Sequence, residues 1–307
     1  MRKFMTVLVI GLMVGCGQVA TRPPEAIDIN GVHVLDGPGV ATFLTTLYAR
    51  TFPNCNNSNS QPSFLCSGVT IRVTVKDPAY KVWDPSPISV KSGGVSFSYL
   101  RKDSNFGRLA WGAGNGYILY PIFEAPQDKI DLDYLCSYPM DAWSWHRSLT
   151  EVCGPHNDYP VESKLCQDAG VTTAQQWSAV WNRPGGNPNL RQCGFDISDD
   201  RNHLAGPAFY QSLLAKGLIG ATGFNGHNEV VLKTWVSGRP NTFPLMAFFF
   251  IAGGANAGLA DAQYNQRDFY NSTNPKIIVP IIRVTPANSA TESATFTYVA
   301  ADQVVTQ

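Results

Sequence analysis

Charge is what this sequence has least of. Charged residues make up 15% of its 307 positions, against roughly 25% in an average globular chain. The 23 basic and 23 acidic side chains cancel. That balance removes the electrostatic footprint that nucleic acid or an anionic membrane surface requires, so neither is an expected partner. No apolar stretch approaches the roughly 20 residues that span a bilayer. No repeat of about 20–50 residues recurs, which excludes a solenoid. The G-x-S-x-G elbow, the H-E-x-x-H zinc helix and the P-loop are all missing. So is any C-x-x-C pair or cysteine with a histidine at metal-ligand spacing. Histidines are few and scattered: His33, His146, His156, His203 and His227. Glutamate is scarcer than usual, at Glu25, Glu124, Glu151, Glu162, Glu229 and Glu292.

What is present begins with an export signal. Arg2 and Lys3 precede an apolar run, Phe4–Val14, too short for a folded span. The run ends Met13-Val14-Gly15-Cys16, which resembles a bacterial lipoprotein signal. The resemblance implies cleavage before Cys16 and a lipid on its sulfur, with an outer-membrane or extracellular destination. Plain secretion is the alternative. Residues 17–30 then read as a tether, and 31–307 as one domain. Six cysteines remain: Cys55, Cys66, Cys136, Cys153, Cys166 and Cys193. An even number after export reads as three disulfides. Cys55 and Cys66 flank a polar loop and close it. Cys136–Cys153 and Cys166–Cys193 are the favoured remaining pairs.

The rest mixes helices and strands without β-α-β alternation, which predicts an α+β fold with mainly antiparallel pairing. Helical spacing runs through Val40–Phe52 and stops at Pro53. Thr173-Ala-Gln-Gln176 is a capping box for a helix carrying Trp177, Val180 and Trp181. Another helix starts at Pro207 and ends at Gly217. Strands are expected in two runs between Leu65 and Arg101, at Gly116–Phe123, Asn228–Trp235 and Pro244–Ile251, then at Lys276–Thr285 and Ala294–Val299. Ser104–Arg108 reads as a short helix or turn. Residues 253–274 read as a polar loop of weak helical character. Residues 135–195, rich in Pro, Gly, Asn and Cys, read as a disulfide-stapled insertion.

Arg72 sits on the first of the early strands, and Ser96-Phe97-Ser98 on the second. Period two puts both hydroxyls on one face. Glu229 opens a late strand after the turn Asn225-Gly226-His227-Asn228. There it is either fixed beside a cleft or a solvent-facing edge charge. The order Arg, Ser-x-Ser, Glu resembles that of cholera-toxin-like ADP-ribosyltransferases and NAD glycohydrolases. The chain from Pro53 to Val299 is similar to halovibrin, a family of secreted bacterial proteins associated with NAD cleavage. SGVTIR, SGGVSFSYLR, GNGYILYP, AGPAFYQS, NEVVLKTW and RDFYN carry that likeness.

This resemblance implies an ADP-ribosyltransferase-like core of two mainly antiparallel sheets. NAD would be the substrate, and no cofactor is implied. Cleaving the nicotinamide–ribose bond passes through an oxocarbenium-like cation, which a carboxylate such as Glu229 would stabilise. Arg72 would bind the pyrophosphate by paired hydrogen bonds. Ser96, supported by Ser98, would orient the ribose or the Glu. Tyr99 or Trp111 would stack on nicotinamide. The sequence departs from the pattern at Phe97, where the motif has Thr, and at His227, where arginine-modifying transferases carry a second Glu. That favours water as acceptor. The rival readings are transfer to a host protein, a non-enzymatic surface lipoprotein that binds through the insertion, and a sugar or cell-wall hydrolase, which would need a second carboxylate near Glu229.

Overall fold

The computed structural model describes residues 23–53, 55, 62–74, 83, 86–109, 114–121, 129, 132–142, 166–183, 193–198, 205–233, 239–253 and 258–306. Two short strands, β1 (Ile27–Ile29) and β2 (Val32–Val34), form a hairpin. Its turn is Asn30-Gly31, with φ of 55° and 82°, the two positive values a type I′ turn needs. β1 therefore falls within the stretch expected as a tether. Next comes α1 (Gly37–Ala49), capped by Asp36, whose carboxylate accepts from the Gly39 amide. It buries Val40, Phe43, Leu44 and Leu47, the spacing of one helical face.

The body is a nine-stranded sheet. In chain order its strands are β3 (Val69–Val73), β4 (Val95–Leu100), β5 (Asn115–Leu119), β6 (Asp133–Tyr138), β7 (Phe195–Asp196), β8 (Glu229–Lys233) and β9 (Leu245–Ile251). β10 (Lys276–Ile278) joins the small sheet, parallel to β2. β11 (Ile281–Thr285) and β12 (Thr295–Tyr298) complete the large one. Across it the order is β12-β11-β9-β5-β3-β4-β8-β6-β7. Every neighbour is antiparallel except β9 with β11. The fold is α+β with two mostly antiparallel sheets.

Five further helices are α2 (Pro87–Ser92), α3 (Ala174–Asn182), α4 (Ala205–Leu218), α5 (Gly220–Asn225) and α6 (Gly258–Ser272). α4 and α6 cover one face of the large sheet, with Phe209 edge-on to Tyr99 and Phe269 edge-on to Phe248. α1 covers part of the other, with Tyr48 against Phe296. Around α3 lies a smaller core of Val171, Ala174, Trp177, Phe195 and Ala215. The capping box is formed: Gln176 N donates to Thr173 Oγ1, and Thr173 N to Gln176 Oε1.

Several local expectations change. Lys276–Thr285, expected as one strand, is two, β10 and β11, which lie in different sheets. Residues 258–272 are helix: α6 buries Gly258, Ala262, Asn265, Gln266 and Phe269 on one face, and the amides among them dilute the apolar period. Gln266 is buried, receives the Val304 and Val305 amides and donates to the Val279 carbonyl. Residues 135–138, read as the start of the insertion, belong to β6 in the main sheet, where pairing with β8 outweighs weak local propensity. Ser104–Arg108, expected as a short helix or turn, is irregular: the turn lies just before it at Lys102-Asp103, and Ser104 bridges to Arg101. The buried Arg101 guanidinium binds both carboxylate oxygens of Asp103, the Phe52 carbonyl and Ser63 Oγ, which fixes this corner.

Cys55–Cys66 and Cys166–Cys193 are disulfides, and Cys136 is also disulfide-bonded. Such bonds belong to a protein that folds in an oxidising, non-cytoplasmic compartment. Cys153, the expected partner of Cys136, and the expected lipid site Cys16 lie outside the described residues. Among the described residues no helix is long and apolar enough to cross a membrane.

Candidate active site

β3, β4 and β8 lie side by side, so the strands carrying Arg72, the two serines and Glu229 are immediate neighbours. Their register decides which side chains meet. Ile71 pairs with Ser98, and Phe97 pairs with Val230. One residue further along each ladder, Arg72 falls across from Phe97 and Ser98 across from Glu229. Cross-strand partners share a face and successive residues alternate. Arg72 therefore lies on the face covered by α4 and α6. Its guanidinium carbon sits 5.9 Å from the Phe97 ring centre. Tyr117, in register with Arg72, is fully buried beside it, and burial pushes its hydroxyl up to about 12 against the pull of that cation.

Ser96, Ser98 and Glu229 occupy the opposite face. The structure thus gathers the hydroxyls and the carboxylate but leaves the Arg72 side chain behind the sheet. One hydrogen bond connects the two sides, from Arg72 Nη1 to the Ser96 carbonyl. Strand periodicity is the reason: Arg72 and Phe97 are a same-face pair, and Phe97 separates the two serines. β5 packs tightly beside this point, since a Cβ on Gly116 would collide with the Arg72 carbonyl.

β8 is an interior strand between β4 and β6, so Glu229 is no edge charge. It is 2% exposed. Its Oε2 accepts from the Ala142 amide at 2.9 Å, and among the described residues it has no ion-pair partner. The residue before it works as a clamp. Asn228 receives the Tyr99 amide on Oδ1 and donates to the Tyr99 carbonyl, continuing the β4–β8 ladder through a side chain. Its Nδ2 also reaches Ser104 Oγ. One position earlier, His227 Nε2 lies 3.8 Å from Asp141 Oδ2, with the imidazole 12% and the carboxylate 33% exposed. The turn seats closely here, because a Cβ on Gly226 would collide with Met140.

No family model, curated protein or solved structure matches this chain. The site rests on its own chemistry. A buried carboxylate with one donor among the described residues is placed to stabilise positive charge that develops beside it, more strongly than in water. Tyr99 offers no stacking surface: it is fully buried, with its hydroxyl bonded to the Ser67 carbonyl and Oγ. Trp111 lies outside the described residues. Beside Ser98 on the same face is a shallow, mostly apolar crevice lined by Ile71, Leu100, Phe106, Ile251 and Val284, with exposed Arg108 among its lining residues. Asp141, the Ala142 amide and Arg108 carry no sequence signal, since each sits in a loop of ordinary polar composition. Among the described residues no group of His, Cys, Asp and Glu is arranged to hold a metal ion.

Proposed function

We propose that this protein is an exported NAD glycohydrolase with an ADP-ribosyltransferase-like core, tethered by lipid at Cys16 and using water as acceptor. The observation that carries the reading is the run of neighbouring strands bearing Arg72, Ser96 with Ser98, and buried Glu229, in the order the motif requires. Nicotinamide leaves as a neutral pyridine, so the demand is for charge stabilisation at C1′ rather than for an acid. Glu229 supplies it. Ser96, half-buried on the same face, orients the ribose. Arg72 acts through the Ser96 carbonyl, holding β4 in place from behind. The pyrophosphate then falls to a cation on the Glu229 side, and Arg108, exposed and lining the crevice on that face, supplies it.

The test is incubation of the disulfide-bonded protein with NAD, scoring nicotinamide, ADP-ribose and label on protein. Nicotinamide with free ADP-ribose supports hydrolysis. Label on an added protein supports a transferase instead, and no turnover leaves a binding protein. Glu229→Gln preserves the oxygen that receives the Ala142 amide and removes the charge. It should lower kcat about 10²–10³-fold with little change in KM. Full activity in that variant would place the catalytic carboxylate elsewhere.

A further inference from the structure

We infer that His227 is the general base of the proposed cleavage and that Asp141 positions it. The inference rests on the glycohydrolase reading and adds a catalytic group that the Arg-Ser-Glu pattern lacks. The segment after β6 serves both side chains at once: Asp141 faces His227 Nε2 at 3.8 Å, and the next residue's amide holds Glu229 Oε2 at 2.9 Å. Asn228 between them is pinned to Tyr99 and Ser104. The base and the carboxylate are therefore fixed to one scaffold. Glu229 is buried, whereas His227 and Asp141 keep contact with solvent, the side from which water arrives.

With the Asp141 carboxylate at ion-pair distance from Nε2, a proton on Nε2 leaves the Nδ1 lone pair for that water, and Asp141 acts on the ring through its charge. Among the described residues no group hydrogen-bonds Nδ1. As the C1′–N bond breaks, its electron pair stays on the nicotinamide nitrogen and neutralises the pyridinium. The water oxygen bonds to C1′, and its proton passes to Nδ1. The resulting imidazolium faces Asp141 until solvent removes the proton. Atoms and charge balance with NAD and water alone.

The deciding variants are His227→Gln, which keeps a polar side chain of similar reach but takes no proton, and Asp141→Asn. Each is assayed for nicotinamide release with and without azide, an anion that attacks C1′ with no proton to remove. His227→Gln should lose about 10²-fold in hydrolysis and regain at least tenfold with azide, giving ADP-ribosyl azide. Asp141→Asn should lose less and respond to azide in the same way, with an unchanged melting temperature in both. An active wild type whose His227→Gln variant hydrolyses equally well, or loses activity without azide rescue, overturns the inference and leaves the glycohydrolase reading standing. A wild type that releases no nicotinamide overturns both.

Discussion

Lys216 gives the sharpest test of the packing. It lies in α4, is 2% exposed, and its Nζ donates to the Asn105 carbonyl at 2.6 Å over the Phe106 ring. No carboxylate pairs with it among the described residues. Burial pulls the amine from 10.5 down to about 7. The folded state thus disfavours the charged form. Below about pH 7 the lysine is charged in both states, and the full cost of burying that charge weighs on the fold. Between about 7 and 10.5 the unfolded chain binds more protons, so stability rises with pH.

The gap between the two values corresponds to roughly 5 kcal/mol. Lys216→Met keeps the length and most of the packing. It removes this cost but leaves the Asn105 carbonyl without its donor, which costs about 1–3 kcal/mol. The variant should therefore be more stable than wild type by roughly 2–4 kcal/mol at pH 6, and that advantage should vanish by pH 10. Urea unfolding at pH 6, 8 and 10, with equal m-values, measures the difference directly. If the two proteins keep a constant difference across that range, Lys216 has an ordinary amine and the account of its burial fails.

Two further predictions concern what holds the site. Asn228→Ala removes three hydrogen bonds, to Tyr99 N, Tyr99 O and Ser104 Oγ. It should cost about 2–4 kcal/mol in urea unfolding, because buried backbone groups of Tyr99 are left unpaired. Replacing Cys166 and Cys193 by Ala opens a loop of 27 residues, a loss of roughly 3–4 kcal/mol on chain-entropy grounds. Hydrogen exchange should show the loss concentrated in α3 and β7, with β3 and β5 still protected. Uniform loosening of the whole sheet would contradict the separate small core around Trp177.

Elements with strong local signals were legible in the amino-acid order. The Val/Ile/Phe runs became β3, β4, β5, β8, β9 and β11, the Thr173–Gln176 box opened α3, and α1 followed its apolar period. The disulfides Cys55–Cys66 and Cys166–Cys193 were also legible from loop composition and order. Period two placed Ser96 and Ser98 on one face, since alternation is intrinsic to a strand. Which of the site residues meet depends on strand register and packing. Arg72 lies behind the sheet because the β3–β4 register pairs it with Phe97, and register is a property of two strands that neither sequence states alone. α6 showed only weak helical character because Asn265 and Gln266 share its buried face with Ala262 and Phe269, and Gln266 is held there by hydrogen bonds rather than by apolar packing. Asp141 reaches His227, and the Ala142 amide reaches Glu229, the latter across 87 residues of chain. A contact of that separation is set by how β6 packs against β8, and no local pattern encodes it.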